Sequence, residues 1–192
     1  KNIIKFTGTK YAVACINGTS ALQVSLRIVG VQAGDEVIIP TITFIAPVNA
    51  IYYNGARPIF IDVDDFHNID IDKTINFIEK ETNFKNGNTY NKTTGKLIRA
   101  IVPVHMWGNA VLLNELVSIC NERNIKIVED ASESLGTNYI DGTYSSMHSG
   151  TVGDLGCLSF NGNKIITAGG GGMLLTDNQK IAERAKYLTN QA

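Results

Sequence analysis

The spacing of apolar and polar positions changes repeatedly along the chain, and each change predicts an element. Ala21, Leu22, Leu26, Ile28 and Val29 recur at helical spacing and predict a helix ending near Gly30. Gly34-Asp35 predicts a turn, and Glu36-Val37-Ile38-Ile39 a short strand ended by Pro40. A second helix is expected from near Pro47 toward Gly55, and a strand over Pro58–Val63. Asp72 to Glu81 reads as a helix with Ile75, Phe77 and Ile78 on its apolar side. Residues 83–96 are polar and aperiodic, a surface loop or hairpin insertion. Then come a strongly apolar strand from Leu97 to Val104, a helix over Leu112–Arg123 and a strand over Ile125–Asp130 that ends in two carboxylates. Residues 137–151 are turn-rich; Leu155–Phe160 and Gly172–Thr176 read as strands, and Gln179–Leu188 as a last helix. Strands alternating with helices predict a mainly parallel sheet flanked by helices, a three-layer α/β/α domain.

Composition narrows the classes. The 192 residues suffice for one α/β domain over 1–192 with a substantial core. Hydrophobic residues make up 44% and charged ones 18%, with 17 Lys+Arg against 18 Asp+Glu and a net charge of −1. That balance points away from nucleic acid or an anionic membrane as the main partner. No apolar run approaches a membrane span, and the start lacks the core of a signal peptide. Cys15, Cys120 and Cys157 are odd in number and far apart, which argues against a zinc site or disulfide framework and for reduced, cytoplasmic thiols. The chain starts without methionine and stops within a helical pattern at Gln191-Ala192, so a longer protein with a missing beginning and a missing C-terminal domain is expected.

The chemistry gathers around Ser159-Phe160-Asn161-Gly162-Asn163-Lys164 and the glycines Gly169 to Gly172. A solvated lysine needs no tight loop at the end of an apolar segment; a lysine that must meet an aldehyde carbon at a fixed point does. Lys164 is therefore the candidate Schiff-base lysine, and pyridoxal phosphate (PLP) the expected cofactor. Asp130, at a strand end, suits a pyridinium nitrogen, since ligands of open α/β sheets sit beyond the carboxyl ends of strands. It also reads as a helix cap. Asn17-Gly18-Thr19-Ser20 precedes a helix, where free amides and the dipole favour phosphate, and reads equally as an ordinary N-cap. Ser159 is a further hydroxyl for that phosphate. Phe44, between a strand and a helix, is a stacking ring or a core side chain. Glu133, three residues after Asp130, faces the same site or solvent. His105 ends the neighbouring strand and stays outside the candidate set, because a lone histidine is more often structural. The glycine run lacks the pattern of a phosphate loop and reads as backbone needing unusual torsions near Lys164.

In this order, the motifs resemble those of the DegT/StrS-type nucleotide-sugar aminotransferases, PLP enzymes of fold type I. The resemblance runs from Lys10-Tyr11-Ala12-Val13-Ala14 and Asn17–Leu22 through Gly34–Pro40 and Glu129-Asp130-Ala131 to Ser159-Phe160, Lys164 and Gly-Gly-Gly-Met. It implies a fold type I large domain and a C-terminal small domain beyond this chain. It implies Lys164 as the Schiff-base lysine, Asp130 as partner of the pyridinium nitrogen, Gly18, Thr19, Ser20 and Ser159 as the phosphate cradle and Phe44 as the stacking ring. Glu133 stands where relatives often carry histidine or glutamine near the cofactor hydroxyl. Glu129–Gly136 and Ser159–Lys164 look most like the LegC and PglE branch. That branch implies transfer from L-glutamate to a UDP-linked 4-keto-6-deoxy hexose for bacterial surface glycans, by a homodimer with shared active sites. Three alternatives remain: a PLP sugar dehydratase of the same fold, whose members carry histidine in place of the lysine; a non-catalytic truncated partner subunit; and a doubly wound nucleotide-binding module, disfavoured by the missing dinucleotide fingerprint.

Overall fold

The computed structural model describes residues 1–190; the expected helical end at Gln191-Ala192 lies outside the described residues. Nine strands are described: β1 (Tyr11–Cys15), β2 (Glu36–Pro40), β3 (Arg57–Ile61), β4 (Thr82–Lys85), β5 (Asn88–Asn91), β6 (Ile98–Ile101), β7 (Lys126–Asp130), β8 (Leu155–Ser159) and β9 (Gly172–Thr176). Seven form one sheet in the order β1-β9-β8-β7-β6-β2-β3. The five strands from β8 to β3 are parallel; β9 runs antiparallel to both β8 and β1. The polar 83–96 segment contributes the separate antiparallel hairpin β4-β5.

The strand sequences explain the layers. β2 is buried at every position, as a central strand covered on both faces must be. Its side chains alternate: Val37 and Ile39 join one core cluster, Ile38 the other. The first cluster lies under α2 (Gly18–Ile28), α3 (Ile45–Tyr53) and α6 (Gln179–Asn190). The second lies under α4 (Ile71–Lys80) and α5 (Asn114–Glu122). The expected α/β/α architecture is thus the observed one.

Several boundaries move for local reasons. The strand expected to reach Val104 stops at Ile101, because Pro103 has no N–H for a ladder; only an isolated bridge, Val104 to Asp130, continues it. The helix expected from Leu112 begins at Asn114. Two elements went unpredicted. α1 (Asn2–Thr7) is a six-residue helix closed by Gly8 at φ 77°, and β1 is a partly exposed edge strand whose pairing partner β9 lies about 160 positions away.

Candidate active site

The C-terminal ends of β7 and β8, the N-terminus of α2 and the β2–α3 junction converge on a cleft of about 290 Å³. Ligand sites of open α/β sheets fall at such an edge. Gly18, Thr19, Phe44, Asp130, Glu133, Ser159 and Lys164 all line it. Ser20 does not: its backbone N–H donates to Asn17 Oδ1 at 2.7 Å as the helix cap, and the residue lines a separate cleft with Gln23 and Arg27.

Lys164 leaves β8 on a short loop in which its own N–H donates to Asn161 O at 3.1 Å. Its side chain is only 12% exposed, and Nζ donates to Glu133 Oε1 at 2.9 Å. The amine also lies 5.9 Å from the centre of the Phe44 ring. Glu133 is held from its other side, since Trp107 N–H donates to Oε2 at 3.2 Å.

Asp130 shares a strand face with Val128, which belongs to the α2 side of the core. It is 5% exposed, and Oδ1 accepts from Ser132 N–H at 3.0 Å. Burial pushes its carboxyl above the ordinary carboxylate range, outweighing the hydrogen bonds from Ser132 and the charge of Lys164. A buried carboxylate with so little compensation, facing a cleft, is fitted to receive a cation.

The floor of the cleft is built by close approach. A Cβ on Gly18 would lie 2.9 Å from Ser159 Cβ and 3.4 Å from Ser132 Oγ. A Cβ on Gly172 would collide with the backbone of Asn17 and Gly18. The glycine run thus does more than adopt unusual torsions, which Gly169 and Gly171 do at φ 77° and 115°; Gly172 lets β9 press against the first turn of α2. Composition alone did not single out Ser132 or Thr43. Thr43 lines the cleft, and its Oγ1 is buried without a hydrogen-bond partner among the described residues. An orphan hydroxyl, open first-turn amides at Gly18 and Thr19, and an under-compensated carboxylate are what a phosphate-bearing pyridinium would satisfy. The residues present fit PLP.

His105 also lines the cleft, but both ring nitrogens are used elsewhere. Val111 N–H donates to Nδ1 at 3.1 Å, so Nε2 carries the proton and donates to Glu129 Oε2 at 2.9 Å.

The mostly parallel sheet, flanked by helices on both faces, is that of the large domain of a fold type I PLP enzyme. The chain belongs to the DegT/DnrJ/EryC1/StrS aminotransferase family, with the match extending over residues 1–192. It is 38% identical over 186 residues to EpsN of Bacillus subtilis (strain 168), covering 96% of this chain and 44% of EpsN. It is 35% identical over 192 residues to the GDP-perosamine synthase of Caulobacter vibrioides, covering 100% of this chain and 46% of that enzyme. The crystal structure of a DegT DnrJ EryC1 StrS aminotransferase from Brucella abortus superimposes with a TM-score of 0.84 at 28% identity, covering 97% of this chain and 47% of that one. The chain spans about half the length of the curated relatives it matches.

Proposed function

We propose that the protein to which this chain belongs moves an amino group from L-glutamate to the C4 keto group of a UDP-linked 4-keto-6-deoxy hexose. The product is a precursor of bacterial surface glycans, and the branch is the LegC and PglE one. The observation that carries the amino-transfer reading is the placing of Lys164 Nζ and the buried Asp130 carboxylate in one cleft beside the Gly18–Ser159 cradle.

When bound there, PLP supplies an electron sink for the carbanion formed at the donor carbon. The chain's own residues do the rest. Asp130 would supply a negative charge to the pyridinium nitrogen. The Gly18 and Thr19 amides, with the Ser132, Ser159 and Thr43 hydroxyls, would hold the phosphate. Phe44, at the N-terminus of α3, offers a ring face to the cofactor. The Lys164 amine would hold the cofactor and would move the proton at the donor carbon, as base and then acid.

Lys164 also argues against the dehydratase alternative, whose members carry histidine at that place. Among the residues lining the cleft, Lys164 is the single Lys or Arg. A substrate diphosphate and a donor carboxylate both call for more cations, which supports a homodimer in which the partner completes each site. The cytoplasm, where amino donor and nucleotide sugar meet, is the proposed compartment. A GDP-linked sugar is the second reading, favoured by the similarity to a GDP-perosamine synthase.

The test is PLP capture by the full-length protein, borohydride reduction and peptide mapping, followed by a screen of UDP- and GDP-linked keto-sugars. A stoichiometric pyridoxyl label on Lys164 is expected, with an aminated UDP-sugar as product. Absence of label from the full-length protein would end the aminotransferase reading.

A further inference from the structure

We infer that Glu133 is a further catalytic residue, the carboxylate that carries protons between Lys164 and the carbonyl oxygen as Lys164 captures its cofactor. This rests on the reading of Lys164 given above.

Three observations place Glu133 at the reacting atom. Its Oε1 accepts from Lys164 Nζ at 2.9 Å, so it touches the nitrogen that must form the new bond. Its Oε2 accepts from Trp107 N–H at 3.2 Å, so the carboxylate is held while the lysine moves. That anchor is built with effort. Trp107 has φ 52° and ψ 23°, left-handed torsions that a residue with a Cβ rarely adopts. The strained turn is fastened from two further segments, with Met106 N–H donating to Asn68 Oδ1 at 3.3 Å and Thr137 Oγ1 donating to Gly108 O at 2.9 Å. Asp130, the other carboxylate of the cleft, accepts from Ser132 and makes no hydrogen bond to Lys164. Glu133 is therefore the base in contact with Nζ.

The proton balance gives the carboxylate its task. An ammonium nitrogen has no lone pair, so Nζ passes one proton to Glu133 before it attacks the aldehyde carbon. The N–C bond forms and the carbonyl oxygen receives that proton from Glu133. A second proton follows the same path from nitrogen to oxygen, the C–O bond breaks and water leaves. The third proton stays on the now doubly bonded nitrogen. Glu133 ends as a carboxylate facing that cation, and the sequence requires no oxidant or reductant. A glutamine at this position can keep the Trp107 contact but cannot carry a proton.

The experiment uses the full-length protein stripped of cofactor. PLP is mixed in and growth of the visible imine band is followed across a pH series for the wild type, Glu133→Gln and Glu133→Ala. Borohydride mapping at the end point and a thermal melt accompany each variant. Glu133→Gln is expected to slow capture roughly 10²-fold while still labelling Lys164 at equilibrium. Glu133→Ala is expected to regain speed in proportion to added formate, a response that a purely structural role would not give. Capture by Glu133→Gln at the wild-type rate at every pH would overturn the proposal, as would a folded Glu133→Ala that formate leaves unchanged. Failure of the wild type to capture PLP would overturn the active-site reading itself, a distinct result.

Discussion

Two carboxylates stand side by side at the end of β7 and live opposite lives. Glu129 points with Ile127 toward the α4/α5 side of the sheet; Asp130 points with Val128 toward the α2 side. Glu129 is fully buried and accepts from His105 Nε2 at 2.9 Å and from the amides of Gly150, Val152 and Gly153 at 2.8, 2.7 and 2.6 Å. Burial works to raise its pKa, but these donors outweigh it and hold the carboxyl below the ordinary carboxylate range. Asp130, nearly as buried, has one loop to satisfy it and is pushed the other way. A saturated buried carboxylate is a structural rivet. An unsaturated one facing a cleft is a site waiting for a charge.

The largest effect expected on either side of this comparison belongs to the cleft. Lys164→Ala should abolish turnover and leave no borohydride-stable label; normal activity in that variant would refute the mechanism. Asp130→Asn comes next. It should lower turnover by roughly 10²–10³-fold, as loss of a preorganised charge does.

Asp130→Asn should also stabilise the cofactor-free protein at neutral pH. The folded pKa of Asp130 lies above its unfolded value, so folding favours the protonated form. Its stabilising contribution is present below the unfolded pKa and is lost as pH rises through the folded one. Melting curves of the full-length protein should show the gain at neutral pH and none in acid. A neutral-pH loss would mean Asp130 is structural after all.

Glu129→Gln should do the reverse. It should cost about 3 kcal/mol of stability at neutral pH by leaving the His105 and amide donors facing a weaker acceptor. Here the folded pKa is depressed. The contribution is present above the unfolded carboxylate pKa and fades as pH falls through the folded value, so the variant's deficit should shrink in acid. Urea titrations across pH would show this, and a deficit independent of pH would break the contrast. The smallest effect is expected from Gly172→Ala. Pressing a Cβ against Asn17–Gly18 should cost ~1–3 kcal/mol and weaken PLP retention, read by melting and by cofactor titration.

Much of the fold was legible in the chain. Runs such as Val37-Ile38-Ile39 and Ile127-Val128 are buried on both faces, and their uninterrupted apolarity announces a parallel sheet before any pairing is known. The polar 83–96 segment read as a loop or hairpin because it lacks any period, and it forms a hairpin. β1 was not legible as a strand: it is short, partly exposed and paired only with the distant β9. The cleft divides the same way. Lys164, Asp130 and Gly18 stand out by residue type and position, whereas Thr43 and Ser132 are ordinary hydroxyls until the fold carries them to the cleft.

The alternation of elements, the lysine loop after β8 and the family to which the chain belongs are readable from the residues, because they are written in local periodicity and in short motifs. The packing of distant segments sets which of two neighbouring carboxylates is riveted and which is left open. It decided that Ser20 faces another cleft, that Gly172 must lack a side chain, and that Glu133 meets Lys164. Those are matters of distance between segments far apart in the chain, and charge, burial and collision act through distance in space.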